Sequence, residues 1–331
     1  MKAIIPVAGV GTKLRPLTYT QPKPLIPVAG KPIISYNIDE LVDAGVNEFI
    51  FIIGYLGEKV QSYIQQKYPT LKTHFVLQEK REGLGHAIGL AKKLFKENEE
   101  VIVLLGDTIF DADLSEFTKI KENCLGIKKV DEPRDFGIAK IDSNNNVIKL
   151  EEKPNIPISN LALAGIYKLN NSSILFNAID SLIQNNHRTY GEFQLTDALQ
   201  IMIENGEKIK VKEINNFYDC GRKNVLLETN SHLLKRNSKA NIDAPLYFNS
   251  IIIHPVHIAQ GVKIENSIVG PNVTIAENTE IHHTILKNSI IGNNSKLDNC
   301  ILNKSVIGSD ASIKGMVQSL SIGDNTEIDF S

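Results

Sequence analysis

Met1-Lys2-Ala3-Ile4-Ile5-Pro6-Val7-Ala8-Gly9-Val10-Gly11-Thr12-Lys13-Leu14-Arg15-Pro16-Leu17-Thr18 opens the chain. Its first seven residues are a short apolar run, read as a first strand and not as a signal peptide, because they lead straight into a glycine-rich loop. The loop is not a P-loop, since GxxxxGK[ST] is absent, and it lacks the third glycine of the dinucleotide fingerprint GxGxxG. A Gly-x-Gly turn after a first strand lets backbone N–H groups approach a phosphate chain, with Lys13 and Arg15 supplying positive charge. A tight strand-to-loop turn carrying solvated basic residues reads equally well from these residues alone.

Outward from this stretch, short apolar runs alternate with amphipathic ones. Ala3–Val7, Phe49–Ile53, Thr73–Leu77 and Val101–Leu105 predict strands; Ile33–Ala44, Glu58–Lys67 and His86–Phe95 predict helices. That alternation implies βαβ units and a Rossmann-like, mostly parallel α/β sheet flanked by helices. Ligands of such sheets sit beyond the carboxyl ends of the strands, which directs attention to Ala8–Thr18, Gln78–Gly85 and Gly106-Asp107. Further strands are expected at Leu125–Val130, Gly137–Ile141, Val147–Leu150, Ala162–Leu169 and Ile209–Ile214. Helices are expected at Ser172–Leu182, Thr196–Glu204 and Lys223–Lys235.

After about residue 245 aliphatic residues recur every six positions: Ile258 and Ile264; Val269, Ile275 and Ile281; Ile291 and Leu297; Ile307 and Ile313; Ile322 and Ile328. Ser-x-x-Gly recurs at Ser267, Ser289 and Ser305. A strict six-residue period with few helix formers predicts a β-solenoid, each short strand sending one aliphatic side chain inward. The repeats resemble the hexapeptide left-handed parallel β-helix, with room for four or five coils. The expected domains are therefore 1–240 and 241–331.

Composition bounds the function. The 331 residues carry 36 Lys+Arg against 38 Asp+Glu, a net charge of -2, which gives no support to nucleic-acid or polybasic membrane-surface binding. A hydrophobic fraction of 42% with 22% charged residues excludes a wholly disordered chain. Cys124, Cys220 and Cys300 are too scattered for a disulfide framework or a metal knuckle and suit a reducing compartment, so a cytoplasmic location is expected. No apolar run approaches the ~18 residues that a membrane span needs.

The opening motif resembles the signature of the sugar-nucleotide pyrophosphorylases, the sugar-1-phosphate nucleotidyltransferases, whose usual form is Gly-x-Gly-Thr-Arg-Leu-x-Pro-x-Thr. Gln21-Pro22-Lys23-Pro24-Leu25-Ile26-Pro27-Val28 and Lys31-Pro32-Ile33 match the next block, and later blocks follow in order over nearly the whole chain. The resemblance is strongest to bacterial glucose-1-phosphate thymidylyltransferases and uridylyltransferases. Lys13 replaces the usual arginine, keeping the charge but losing the bidentate fork.

The resemblance implies site residues block by block. Ala8, Gly9, Gly11, Thr12 and Lys13 would cradle the nucleotide, and Lys23 would contact substrate phosphates. Gln78 and Gly83 would bind the nucleobase; a glutamine amide offers the donor and acceptor a pyrimidine edge requires. His86 reads as a helix-start histidine beside the sheet. Asp107 and the distant Asp219, in Phe217-Tyr218-Asp219-Cys220-Gly221, would hold Mg²⁺, a hard ion that wants oxygen ligands and substrate phosphates. Gly137, Glu152, Lys153, Gly165 and Glu192 would line the sugar-phosphate pocket, while Thr196-Asp197 caps a helix. Lys13, Lys23 and Asp107 are the expected catalytic residues.

The implied partners are a nucleoside triphosphate (dTTP or UTP) and a sugar-1-phosphate, glucose-1-phosphate being favoured by the resemblance, with an NDP-sugar and pyrophosphate as products, Mg²⁺ as cofactor and self-association through the β-helix. Two other readings are a regulatory homologue without turnover and a bifunctional enzyme whose β-helix transfers acyl groups using His254, His257, His282 or His283. The solenoid is short and uninterrupted by a long loop, which argues against the last.

Overall fold

The computed structural model describes residues 1–237, 247–315 and 317–329. The expected domain limit at 240/241 lies outside the described residues. Two compact units result, and neither is a single stretch of chain: Met1–Gly9 with Asn37–Phe217, and Val10–Tyr36 with Tyr218–Ser331.

The first unit is built on a nine-stranded mixed sheet. Lys2–Pro6 sits centrally and pairs in parallel with Glu48–Ile53 on one side and Val101–Leu104 on the other; Lys72–Leu77 extends the parallel half. The three inner strands are nearly continuous apolar runs because both their faces are buried, so no alternation of polar and apolar residues is needed, whereas Lys72–Leu77 at the edge is only half-buried. Beyond Val101–Leu104 the sheet turns antiparallel through Leu161–Leu169, which meets Asn123–Lys129 and Gly137–Ile141. Val147–Glu152 forms one edge. The helices Gly57–Lys67, Ser172–Gln184 and Leu195–Glu204 fall where periodicity predicts them. The stretch expected to be helical over His86–Phe95 instead divides into a short helix at Leu84–Gly89 and a turn of 3-10 helix at Lys92–Leu94. Gly89 sits at the break, and a Cβ there would lie 2.9 Å from Ile179.

The second unit holds the glycine loop, a two-residue hairpin (Pro27–Val28 with Lys31–Pro32), the helix Lys223–Asn237 and the solenoid. The solenoid consists of three five-stranded parallel sheets, the arrangement of a left-handed β-helix of five coils. Ile251, Ile268, Ile285, Ile301 and Val317 stand in register on one sheet, so successive coils advance by 16 or 17 residues there. The six-residue repeat forms the core: Ile264, Val269, Ile275, Ile281, Ile291, Leu297, Ile307 and Ile313 are all buried. Asparagines take left-handed φ at corner after corner (Asn266, Asn272, Asn278, Asn288, Asn294), a conformation their short polar side chain tolerates. Asn272, Asn288 and Asn303 stack as an amide ladder with links of 2.9 and 3.0 Å.

Candidate active site

In the first unit, the carboxyl edge of the parallel strands collects three of the expected blocks. The first strand leaves through Val7, whose N–H donates to the Ile52 carbonyl at 2.8 Å. Ala8 then presses on Gly54, where a Cβ would come within 2.8 Å of it. A Cβ on Gly9 would meet no atom within 4 Å, so packing within the chain does not require this glycine; it leaves bare backbone beside open space. Beside it, the turn Leu105-Gly106-Asp107 fits because a Cβ on Gly106 would stand 2.4 Å from Val7. The Leu105 N–H donates to the Gly165 carbonyl at 3.1 Å, and Gly165, at φ +96°, lies against the Leu105 side chain. Gly165 is thus explained by packing behind the Asp107 turn.

A residue that sequence reasoning missed fixes this turn. The buried Asn37 amide donates to the carbonyls of Leu105 and Thr108 at 3.1 and 3.0 Å, bracketing Asp107. Nothing local marks Asn37, because both acceptors lie about 70 residues away.

The Gln78–Gly83 block, expected to bind the base, is tied to the Glu192 block. Gln78 is buried, and its Nε2 lies 3.2 Å from the Gly83 carbonyl and 3.2 Å from His86 Nδ1. Gly83 adopts φ +108°, and its neighbours bond to Phe193: the Phe193 N–H donates to Glu82 O and the Gly85 N–H to Phe193 O, both at 2.8 Å. Arg188 braces the junction. Its guanidinium lies 3.8 Å from the Phe193 ring centre and 2.8 Å from Glu82, whose carboxyl it holds below the usual range through that hydrogen bond. The Glu192 carboxylate accepts from Gln194 Nε2 at 3.2 Å.

A third cluster joins Gly137, Glu152 and Lys153. Glu152 Oε2 accepts from the Thr196 hydroxyl at 2.6 Å, and Lys153 Nζ stands 3.6 Å from Oε1. A Cβ on Gly137 would lie 2.8 Å from that Glu152 oxygen. Tyr190 OH donates to the Lys153 carbonyl at 2.7 Å, holding Lys153 at φ +42°. The cap expectation for Thr196 is corrected: the helix Leu195–Glu204 has Gln194 at its N-cap without a side-chain cap bond, and Thr196 turns to Glu152 instead.

In the second unit, Gly11 turns at φ +68°, and its carbonyl accepts from the Thr18 hydroxyl at 2.8 Å. The single 3-10 turn Thr12–Leu14 carries Lys13 into solvent, and Arg15 stacks 5.0 Å from the Tyr19 ring centre. Lys23 is different. Its side chain is 9% exposed and its Nζ lies 3.0 Å from Asp219 Oδ1, while the Asp219 side chain is 60% exposed. The same oxygen accepts from the Gly221 N–H at 3.1 Å. Lys23 is therefore a buried lysine held by a carboxylate that faces outward, not a loose loop lysine.

Three of the four solenoid histidines named above have structural partners. His282 lies 3.5 Å from Glu265, His283 3.4 Å from Asp298, and His257 packs its ring on Gly30. Among the described residues no three His, Cys, Asp or Glu side chains gather into a metal-holding group, and no helix is long and apolar enough to cross a membrane.

A mostly parallel α/β sheet with a buried amide and a turn carboxylate at the carboxyl ends of its strands, in one chain with a hexapeptide β-helix, defines the class of fold. The chain belongs to the nucleotidyl transferase family, which its residues 2–236 match; residues 236–329 match the GlmU-like C-terminal hexapeptide family. It is 38% identical over 269 residues to the bifunctional protein GlmU of Methanococcus vannielii, covering 79% of this chain and 62% of that protein. Against the GlmU of Methanococcus maripaludis strain C5 it covers 55%, so the chain spans little more than half of these relatives. It is 28% identical to the glucose-1-phosphate thymidylyltransferase of Streptomyces griseus, over 88% of this chain and 87% of that one. A UDP-glucose pyrophosphorylase solved with UDP-glucose superposes with a TM-score of 0.64 at 26% identity, over 71% of this chain and 99% of its own.

Proposed function

We propose that this protein transfers a nucleotidyl group from a pyrimidine nucleoside triphosphate to a hexose-1-phosphate, releasing pyrophosphate. The observation that carries the reading is the joining of the Gln78–Gly83 loop to Glu192-Phe193, which makes one wall of the blocks expected to read base and sugar. Gln78 would address the base, and the bare backbone at Gly9 together with Gly11, Thr12 and Lys13 the triphosphate. Gly137, Glu152 and Lys153 would hold the sugar phosphate.

In the reaction a phosphate oxygen of the sugar-1-phosphate attacks the α-phosphorus. That O–P bond forms as the bond from the α-phosphorus to the β-bridging oxygen breaks, and pyrophosphate leaves with the electron pair. The nucleophile is already an anion, so no general base is required. Catalysis then consists of positioning and charge neutralisation. Lys13, Arg15, Lys23 and Lys153 offset the repulsion between two anionic substrates, and Lys23, desolvated and aimed by Asp219, is the most fixed of these cations.

Asp107 and Asp219 fit Mg²⁺ by donor chemistry. Each is a carboxylate, Asp219 faces outward, and Mg²⁺ is a hard ion that takes such oxygens while keeping water and phosphate oxygens among its ligands. Bound there, Mg²⁺ supplies charge to the phosphates undergoing substitution.

The triphosphate is dTTP or UTP, and the acceptor is glucose-1-phosphate or an N-acetylated hexose-1-phosphate. A matrix of triphosphates against sugar-1-phosphates, read by pyrophosphate release, tests the function and chooses the pair. Release with no combination would refute it in favour of a non-catalytic homologue. Acyl transfer is not part of this reading, because the partnered histidines read as coil-stacking side chains. Self-association through the β-helix is part of it, and sedimentation would report it.

A further inference from the structure

The segment Val10–Tyr36 carries Lys13, Arg15 and Lys23, yet it belongs to the same compact unit as the solenoid. Its contacts there are specific and occur at both ends of the β-helix. At the last coil, the Thr20 hydroxyl donates to Asp324 Oδ2. The other Asp324 oxygen accepts from the Ser309 N–H at 2.7 Å, so Asp324 is itself fixed to the preceding coil. One residue earlier, Gly323 lets Pro16 lie directly on the coil: a Cβ there would be 3.2 to 3.3 Å from three Pro16 atoms.

At the first coils, the hairpin turn is held by a fully buried amide. Asn230 Oδ1 accepts from the Ala29 N–H at 2.9 Å and from the Thr274 hydroxyl at 2.6 Å, and Asn230 Nδ2 donates to the Asn272 carbonyl at 3.2 Å. One side chain on the helix Lys223–Asn237 thus joins the hairpin to the second coil. Next to it, the His257 ring lies flat on Gly30, where a Cβ would fall 2.4 to 2.7 Å from three ring atoms.

We propose that the solenoid is the backing of the phosphate segment, with Asp324 (through Thr20) and Asn230 (through Ala29) as positioning residues that set where Lys13, Arg15 and Lys23 stand. The inference rests on the nucleotidyl-transfer reading above. Loops lose precision by moving, and a catalytic group misplaced by about 1 Å can cost on the order of 10²-fold in rate. A loop fastened at two points to a rigid stack of coils is held without a ligand to order it. Lys23 lies between the two fastenings in sequence.

The test uses the full chain and begins with Thr20→Val, which removes one hydroxyl and leaves every coil intact. Expected are a fall of about ten-fold or more in kcat/KM for the triphosphate, the scale of one lost hydrogen bond to a charged group, and an unchanged KM for the sugar-1-phosphate. Thr20→Ser should restore the rate. Hydrogen exchange should rise over residues 11–26 in Thr20→Val without rising in the first four coils. Wild-type kinetics and wild-type exchange of the segment in Thr20→Val would overturn the proposal. If the wild-type chain releases no pyrophosphate with any substrate pair, the functional reading fails, while the exchange measurement still decides whether the solenoid anchors the segment.

Discussion

Gly83→Ala probes the joint between the Gln78–Gly83 loop and Glu192-Phe193, the blocks proposed to read base and sugar. Gly83 sits at φ +108° and ψ 175°, a region that only glycine occupies without strain. Placing an L residue there costs about 1–3 kcal/mol in backbone strain alone. The added methyl would also stand 2.5 Å from the Phe193 carbonyl oxygen, 2.8 Å from its nitrogen and 2.9 Å from Glu192 Cβ. Two of these are backbone atoms, which cannot swing aside as a side-chain tip can. Relief requires separating the loop from Phe193, at the expense of the two 2.8 Å hydrogen bonds that join them. At about 0.5–1.5 kcal/mol each, their loss brings the total to roughly 2–6 kcal/mol. A unit of this size loses about 2–4 °C per kcal/mol, so the melting temperature should fall by roughly 4 °C at least. Because Gln78 Nε2 donates to the Gly83 carbonyl, the KM for the triphosphate should rise together with the loss of stability. Thermal melts monitored by circular dichroism and steady-state pyrophosphate release measure both. An alanine variant that melts with the parent and keeps its nucleotide KM would refute the reasoning.

With Asp107 holding the metal as proposed, Asp107→Asn should lower turnover by on the order of 10²-fold or more; near-normal turnover would remove Asp107 from the site. Asn37→Ala strands the Leu105 and Thr108 carbonyls, and at about 1–3 kcal/mol for each buried group left unpaired it should both destabilise the fold and depress kcat. Asn37→Asp, which keeps the shape but cannot donate, should be no better, and a neutral result in either would show that the turn holds itself. Burial pushes the His257 imidazole below its ordinary value, so the folded protein binds this proton less readily than the unfolded chain does. Stability from this group is therefore full above about pH 6.5 and is lost as pH falls below it. Melting temperatures from pH 8 to pH 5 should show that loss in the parent and less of it in His257→Gln; equal slopes would assign it elsewhere.

The most legible features in the sequence were those with a local period. The aliphatic residue at every sixth position needs only the chain's own neighbours to declare itself, and the buried rows from Ile264 to Ile313 follow it. The parallel strands were legible for a similar reason: burial on both faces makes them continuous apolar runs. Reading failed where a side chain's partner is remote. Thr196 looked like a cap because capping is a local bond, whereas its acceptor is Glu152, 44 residues earlier. Asn37 and Asn230 were invisible because an asparagine in a helical stretch carries no mark of the backbone it will bracket. Lys23 between two prolines gave no sign of being buried against Asp219, 196 residues on.

Residue order alone was enough for the two architectures and for the family. These follow from residue type and spacing along the chain. The folded molecule was needed to show that residues 10–36 group with the solenoid, that Gly165 lies against Leu105, and that Asn37 brackets the Asp107 turn. Hydrogen bonds and close approaches of this kind join points far apart in the chain, and burial makes leaving them unmade costly, so they come into being only once the core has closed.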